Sequence, residues 1–269
     1  MPQKHSTKLL DKYKSWLAKS DVNYEPWLKV YDVSSIGVSS IVFGRTTNRN
    51  HHCLSLNELS IFLLADWDDN VGDIKEQFAL DPVVTSLLAK EASITHPSVR
   101  GRPIVMTTDL LIKQNNKNES TAIQVKPSEE LEDPRTVEKL ELERRYWRRK
   151  ETSFVVLTEK DVSKTVVENV RWIQPILNEQ VETEELSLKL DLYLHVASQS
   201  APTMPIRLLC QKIDTSYSLM TGESLKDLRQ LVAHRFIRVD LTRPFYEMSV
   251  RDFLDGCEEL QGRQNAITR

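Results

Sequence analysis

Apolar residues recur at two different periods along this chain, and the changes of period lay out its elements. Leu9, Leu10, Tyr13, Trp16 and Leu17 are spaced as one face of a helix, with Lys8, Lys12, Lys14 and Lys19 between them, so residues 1–20 are expected to open the chain as a basic amphipathic helix. That helix is read first as a docked surface element; a DNA-facing role is the sharper alternative. From Trp27 to Gly44 the pattern becomes extended around Ser34, Ser35 and Gly37 and reads as a hairpin. Leu56 to Trp67 is dense in Leu, Ile and Phe, preceded by Ser55 and followed by Asp66, Asp68 and Asp69, which predicts a buried helix. A strand over 71–80, a helix over 82–92 and a Pro/Gly-bearing loop over 96–103 follow. Two strands, 104–112 and 121–126, are joined by the polar turn 113–120, and Pro127 ends the second because it cannot donate to a ladder. Pro134 then opens a helix running to about Lys150, Ser153 to Thr158 reads as an apolar strand, and 161–176 as a further helix.

Alternation of strands and helices to this point predicts an α/β (α+β) core with a mixed sheet flanked by helices, placed in a first domain over 1–176. Beyond the acidic stretch Glu179 to Glu185 helical patterns dominate, at 187–199, 204–219 and 224–234, the last with Ser224 as its cap. Strands at 236–241 and 246–250 around a turn at 242–244 complete the order of a winged-helix-like module, the expected second domain over 177–269, with a polar tail from Arg251.

Composition narrows the class. No run approaches the roughly 18 apolar residues of a membrane span, and no apolar leader core stands at the N-terminus, so the expected compartment is the cytoplasm, with no membrane partner. Cys53, Cys210 and Cys257 are odd in number and widely spaced, which argues against disulfides and structural zinc. Neither GxxxxGK[ST] nor GxGxxG occurs among the seven glycines, so any ATP dependence must come from a partner. The net charge of −3 means that affinity for nucleic acid would have to come from local basic clusters.

The candidate chemistry lies on the paired strands. Gln124 and Lys126 point to one side of their strand and Ile123 and Val125 to the other, while Asp109 shares a face with Thr107 and Leu111 on its own. The intervening turn brings Asp109 beside Gln124 and Lys126, a carboxylate, an amide oxygen and an ammonium at the rim of an apolar sheet. Few oxygen ligands on an open face suit Mg²⁺, which keeps several waters, and Mn²⁺ would substitute. Phosphodiester hydrolysis needs an activated water and relief of charge, with Asp109 as the bridging ligand and Lys126 holding the water. Glu58 is the candidate second carboxylate; as the fourth residue from Ser55 it equally fits a capping box that satisfies a backbone donor.

Further residues carry a resemblance. Pro26-Trp27-Leu28, His51-His52, Glu58-Leu59, the run Asp73 to Phe78, His96-Pro97, Thr108-Asp109, Gln124-Val125-Lys126-Pro127 and above all Glu138 to Trp147 resemble the TnsA family over roughly residues 25–175. The resemblance implies a restriction-endonuclease-like catalytic domain followed by a winged-helix-like domain. It implies a metal-dependent endonuclease of a bacterial cut-and-paste transposase that cuts the 5′ ends of the element. A TnsB-like transposase handles the 3′ ends and a TnsC-like ATPase regulates both, so transposon-end DNA is the expected substrate and the nucleoid the place of work. It also implies Glu58, Asp109 and Lys126 as the active site, Gln124 and the Val125 carbonyl as metal contacts, and an accessory role for Asp68. His51 and His52 are read as structural or phosphate-contacting, since a zinc site would need a second ligand pair.

The helix from Thr136 to Lys150 has six basic residues against three acidic, and Arg144, Arg145, Arg148 and Arg149 are the candidate DNA contacts. Two other readings stay in view: a stand-alone restriction or repair nuclease, and a non-catalytic adaptor that binds DNA or a partner.

Overall fold

The computed structural model describes residues 3–20, 23–33, 38–68, 70–115, 119–177 and 179–257. Asp69, the centre of the turn at 113–120, the small residues at 34–37 and the tail beyond Cys257 lie outside the described residues. The chain divides into two compact units, Met1–Val162 and Ser163–Arg269.

The first unit is built on a four-stranded mixed sheet in the order β3 (Val71–Ala79), β6 (Thr107–Gln114), β7 (Ser120–Val125), β8 (Ser153–Leu157); its first two pairings are antiparallel and β7–β8 is parallel. The parallel pair follows from its connection, since β7 is joined to β8 through α4 (Pro134–Arg149), a crossover that antiparallel neighbours do not need. Asp133 caps α4 by accepting from Thr136 N at 2.9 Å, and Pro134 fits the first helical position because it has no N–H to leave unpaired. One face of the sheet is covered by α3 (Pro82–Glu91) and α4, through Leu88, Ala89, Leu142, Tyr146 and Trp147 packed on Met106 and Ala122. On β3 and β6 packs α2 (Leu56–Asp66), buried along most of its length as its composition predicts.

The opening helix, α1 (Gln3–Ser20), is docked: Tyr13 is buried against Ala79 and Val105, and Lys12 lies 4.5 Å from the Trp27 ring. Its apolar face is thus that of a docked surface element, and Lys8, Lys12, Lys14 and Lys19 stay exposed. Residues 27–33 do not form the first arm of a hairpin. Instead β1 (Ser40–Gly44) pairs with β2 (Arg49–Cys53), a strand whose polar sequence Arg-Asn-His-His-Cys gave no apolar alternation. Its polarity is accommodated inside. Glu76 on β3 accepts from Arg49 at 2.7 and 3.0 Å and from His51 Nδ1 at 2.8 Å, and His51 Nε2 meets the Thr47 hydroxyl at 2.5 Å. Burial works to raise the Glu76 carboxyl, but the His51 and Arg49 bonds outweigh it and hold it at about 2. His51 is fully buried and structural.

Within the loop over 96–103 lies a short ribbon, β4 (Ser98–Val99) paired with β5 (Arg102–Pro103). The strand expected from Ile104 begins only at Thr107. Behind it, Thr108 is fully buried, accepting from Trp147 Nε1 at 2.7 Å and donating to Glu143 Oε1 at 2.5 Å. Thr108→Val strands both partners in an apolar environment and is expected to cost about 2–3 kcal/mol, read as a lowered urea midpoint; an unchanged midpoint would refute this account of the bridge.

The second unit is helical among its described residues: α5 (Lys164–Ile173), α6 (Thr183–Ser198), α7 (Ile206–Ser216), α8 (Glu223–Ala233) and a helical stretch over 250–257. Tyr193, Leu209, Ile213, Leu231 and Phe253 fill its core. Three features differ from the sequence expectation. Segments 236–241 and 246–250 form no hairpin; the backbone pairing there is an isolated bridge between Pro205 and Ser249, and Ile237, Leu241 and Val250 are buried individually. The cap of α8 is Gly222, at φ +89°, rather than Ser224, and Asp214 supplies the missing acceptor to Gly222 N and Ser224 N at 2.8 and 2.9 Å. Residues 251–257 are helical, within the segment that the sequence marked as a polar tail. None of the described helices is long and apolar enough to cross a membrane.

Candidate active site at the parting of two strands

The ladder between β6 and β7 runs from Lys113↔Ser120 to Leu110↔Ile123 and stops there. Beyond it side chains replace the ladder. Asp109 N donates to Gln124 Oε1 at 3.1 Å, and Val125 N donates to Asp109 Oδ2 at 2.8 Å. Meanwhile β7 keeps its pairing with β8 through Val125↔Leu157, and Lys126 N donates to Leu157 O at 2.9 Å. The strands thus separate at Asp109, opening a wedge between the two central strands in which two backbone donors are satisfied by the site's own side chains.

Into this wedge α2 delivers Glu58. Ser55 caps the helix by accepting from Glu58 N at 3.1 Å, while the Glu58 carboxylate accepts from Leu54 N and from the Ser55 hydroxyl, each at 3.0 Å. Capping and site placement are the same act. The hydrogen bonds that cap the helix fix the carboxylate against Asp109. Burial first, then the Asp109 charge, push the Glu58 carboxyl up to about 7, against the bonds from Leu54 and Ser55.

Lys126 stands just past the end of β7, where its Nζ donates to the Val125 carbonyl at 3.0 Å and lies 3.8 Å from Asp109 Oδ2. Burial opposes its charge, but the carboxylates of Asp109, Glu143 and Glu58 outweigh that and raise its pKa. Glu58, Asp109, Gln124, Val125 and Lys126 are therefore brought together.

Two neighbours of this group were not among the site residues singled out from the sequence. Gln77, on β3 directly opposite Asp109, is buried with φ +47°, a left-handed conformation that is uncommon for a side chain of this size. Its Nε2 donates to Asp109 Oδ1 at 3.1 Å and approaches Glu58 Oε2 at 3.4 Å, and its Oε1 accepts from the Thr107 hydroxyl at 3.1 Å. The carboxylate oxygens accept, which turns the amide nitrogen toward them and leaves the amide oxygen to the Thr107 hydroxyl, so one amide nitrogen serves both carboxylates. Glu143, from α4, is fully buried; burial pushes its carboxyl up to about 8, opposed by the Thr108 hydrogen bond and raised further by Asp109.

The strand alternation expected for β6 breaks here. Thr108 meets Trp147, and Leu111 packs on the same cluster, so Leu111 does not share the face of Asp109. Asp68 is not drawn in. It holds Asn70 N and Nδ2, each at 3.0 Å, in the turn after α2, about 15 Å along the helix from Glu58 at about 1.5 Å per residue. Asp66 is likewise occupied, accepting from Thr46 N at 2.9 Å.

On α4, Arg144 and Arg145 both bond Glu141, at 2.7 Å each through Nε, and the Arg144 bond foremost holds that carboxyl down at about 2. Arg148 and Arg149 are exposed and face solvent. In the second unit, Lys226 and Arg243 are ion-paired and Arg229 donates to the Trp172 carbonyl, so these three cations are answered internally.

The family model for the TnsA-like endonuclease N-terminal domain matches residues 68–159, and that for the TnsA endonuclease C-terminal domain matches residues 161–241. A relative, the transposon Tn7 transposition protein TnsA of Escherichia coli, is 39% identical over 224 residues, which is 83% of this chain and 81% of that protein. This chain belongs to the TnsA endonuclease family. It is a DNA-cleaving enzyme of transposition, and its mixed sheet flanked by helices is the restriction-endonuclease-like arrangement expected of TnsA domains. The N-terminal TnsA match spans Asp109, Gln124, Lys126 and Glu143 and begins beyond Glu58.

The donor set fits a hard divalent cation. Two carboxylates, the Val125 carbonyl and the Gln124 amide oxygen are all oxygen donors, and the Asp109–Glu58 pair carries more negative charge than Lys126 at 3.8 Å compensates. The Gln124 oxygen already accepts the Asp109 N–H, leaving one lone pair for a ligand role.

Proposed function

We propose that this chain hydrolyses the phosphodiester at the 5′ ends of a bacterial transposon, with Mg²⁺ as its cofactor and Mn²⁺ as a substitute. Its proposed partners are transposon-end DNA, a TnsB-like transposase that processes the 3′ ends, and a TnsC-like ATPase. Its place of work is the cytoplasm, on the nucleoid when active. The observation that carries this reading is the gathering of Glu58, Asp109 and Lys126 where β6 and β7 part.

In this assignment Glu58 and Asp109 hold the cation, with the Val125 carbonyl and the Gln124 oxygen completing the protein's share of ligands. The cation supplies a water of lowered pKa and relief of charge on the phosphate oxygens. Lys126, charged at neutral pH, orients the attacking water and meets the charge that develops on the phosphorus oxygens. Arg148 and Arg149 hold the duplex backbone. The second unit serves DNA or a protein partner.

The test is to combine the chain with its neighbour transposase, end-bearing duplex and Mg²⁺, and to map nicks on each strand. Nicks at the 5′ ends that vanish on chelation are expected. Efficient cutting of generic duplex by the pure protein would instead establish a stand-alone nuclease.

A further inference from the structure

We propose that the ribbon β4–β5, with Arg100 and Arg102, is a second DNA contact that grips the duplex backbone within one turn of the cut. The proposal rests on the endonuclease reading of the chain.

Every residue from Ser98 through Ile104 is exposed, Val99 at 57%, while Pro97 at the root is buried. The tip is a two-residue turn in which Arg100 and Gly101 both have positive φ, +51° and +72°. A turn of that kind matches the twist of the flanking strands and is normally filled by Asn-Gly or Asp-Gly. An arginine there accepts a backbone conformation that a small residue would take at lower cost, and gains no partner among the described residues by doing so. Persistent local strain of this sort points to a task outside the fold.

The root, by contrast, is fixed. The Pro97 carbonyl accepts from Ile104 N at 3.1 Å and from His96 Nδ1 at 3.0 Å, and His96 Nε2 meets the Thr85 hydroxyl of α3 at 3.0 Å. A fixed stem with an exposed cationic tip is a presenting device. Val99, Arg100, Arg102, Pro103 and Ile104 line a shallow cleft along it, apolar walls with two guanidinium groups.

Charge complementarity selects the partner. The chain has a net charge of −3, yet no Asp or Glu occurs from Ala92 through Thr108, and the two arginines stand in the middle of that interval. Guanidinium groups match phosphate in a bidentate way, and a two-stranded ribbon is narrow enough to follow a groove. The nine residue steps from Arg100 to Asp109 span at most about 31 Å at about 3.4 Å each, less than the roughly 34 Å of one duplex turn. Duplex lying at Asp109 is therefore within reach of the tip.

The test uses the full chain made cleavage-deficient by Asp109→Asn, with and without Arg100→Gly and Arg102→Ser, titrated against fluorescently labelled duplex over a range of salt. Glycine at the tip relieves the positive φ, so the fold is retained. Affinity is expected to fall about tenfold or more and the slope of log K against log salt to shrink by about 1–2, at about 0.9 per phosphate contact. Unchanged affinity and slope would overturn the proposal, as would failure of the parent chain to bind duplex at low salt. Loss of association with a partner protein while DNA affinity stays intact would overturn it too. Because Cys53, Cys210 and Cys257 are buried, Arg100→Cys can be labelled selectively with a photo-crosslinker. Crosslinks to duplex are expected, and their absence counts against the contact. Cleavage by Asp109→Asn itself bears on the catalytic reading alone, so the two can fail separately.

Discussion

Asp109→Asn is expected to lower 5′-end cleavage by on the order of 10³-fold while leaving DNA binding and folding intact. The asparagine keeps an acceptor for Val125 N, which now bonds Asp109 Oδ2 at 2.8 Å, so the parting of β6 and β7 survives. What disappears is a charge. That charge balances Lys126, 3.8 Å away, and sits on a carboxylate tied to the middle of the site by Val125 N and by Gln77. Strand-specific nick mapping with the partner transposase measures the loss, and duplex binding by the same variant provides the control. Cleavage within tenfold of the parent would remove Asp109 from the chemistry and restore the adaptor reading.

The frame of this site was legible in the residues, and its finish was not. Strands close to 71–79, 120–125 and 153–157 were expected from the residues, the last from its apolar run, and α4 from Pro134. Asp109 and Lys126 could be placed together because a hairpin brings its ends side by side. Gln77 could not. A glutamine within an alternating strand is ordinarily solvent-facing, and nothing local announces a φ of +47°.

Glu143 did leave a trace. It lies four residues before Trp147, and so shares its helix face, beside Leu142 and Tyr146, which are both buried. A carboxylate on the apolar face of a helix is a question the sequence had already posed. β2 stayed hidden because one of its two inward residues is His51, beside Cys53, and His51 is buried by bonding to Glu76 rather than by being apolar. The C-terminal segments misled in the opposite sense, because Ile237 and Leu241 are buried without pairing as strands.

Glu58→Gln is expected to do two things that rarely go together, stabilising the metal-free protein and disabling the enzyme. With its carboxyl raised from 4.5 to about 7, Glu58 binds a proton in the folded state that the unfolded chain has lost between those pH values. Its contribution to stability therefore falls as pH rises from about 4.5 to 7 and stays low above, a cost on the order of 3 kcal/mol in the absence of the cation. Glu76, held at about 2, has the opposite sign: its stabilisation is present above about pH 4.5 and lost only as acid protonates it. Glutamine at 58 removes the first cost while keeping an oxygen for Leu54 N. At pH 8 the metal-free melting temperature should rise, by about 2–4 °C per kcal/mol recovered. A cation answers the same cost in the parent by pairing with the ionised form, so the Mg²⁺-induced rise in melting temperature should grow as pH passes through about 7 and should shrink in the variant. Cleavage should drop on the order of 10²-fold or more. A variant that melts lower than the parent at pH 8 and still cuts at the parental rate would show that Glu58 only caps its helix.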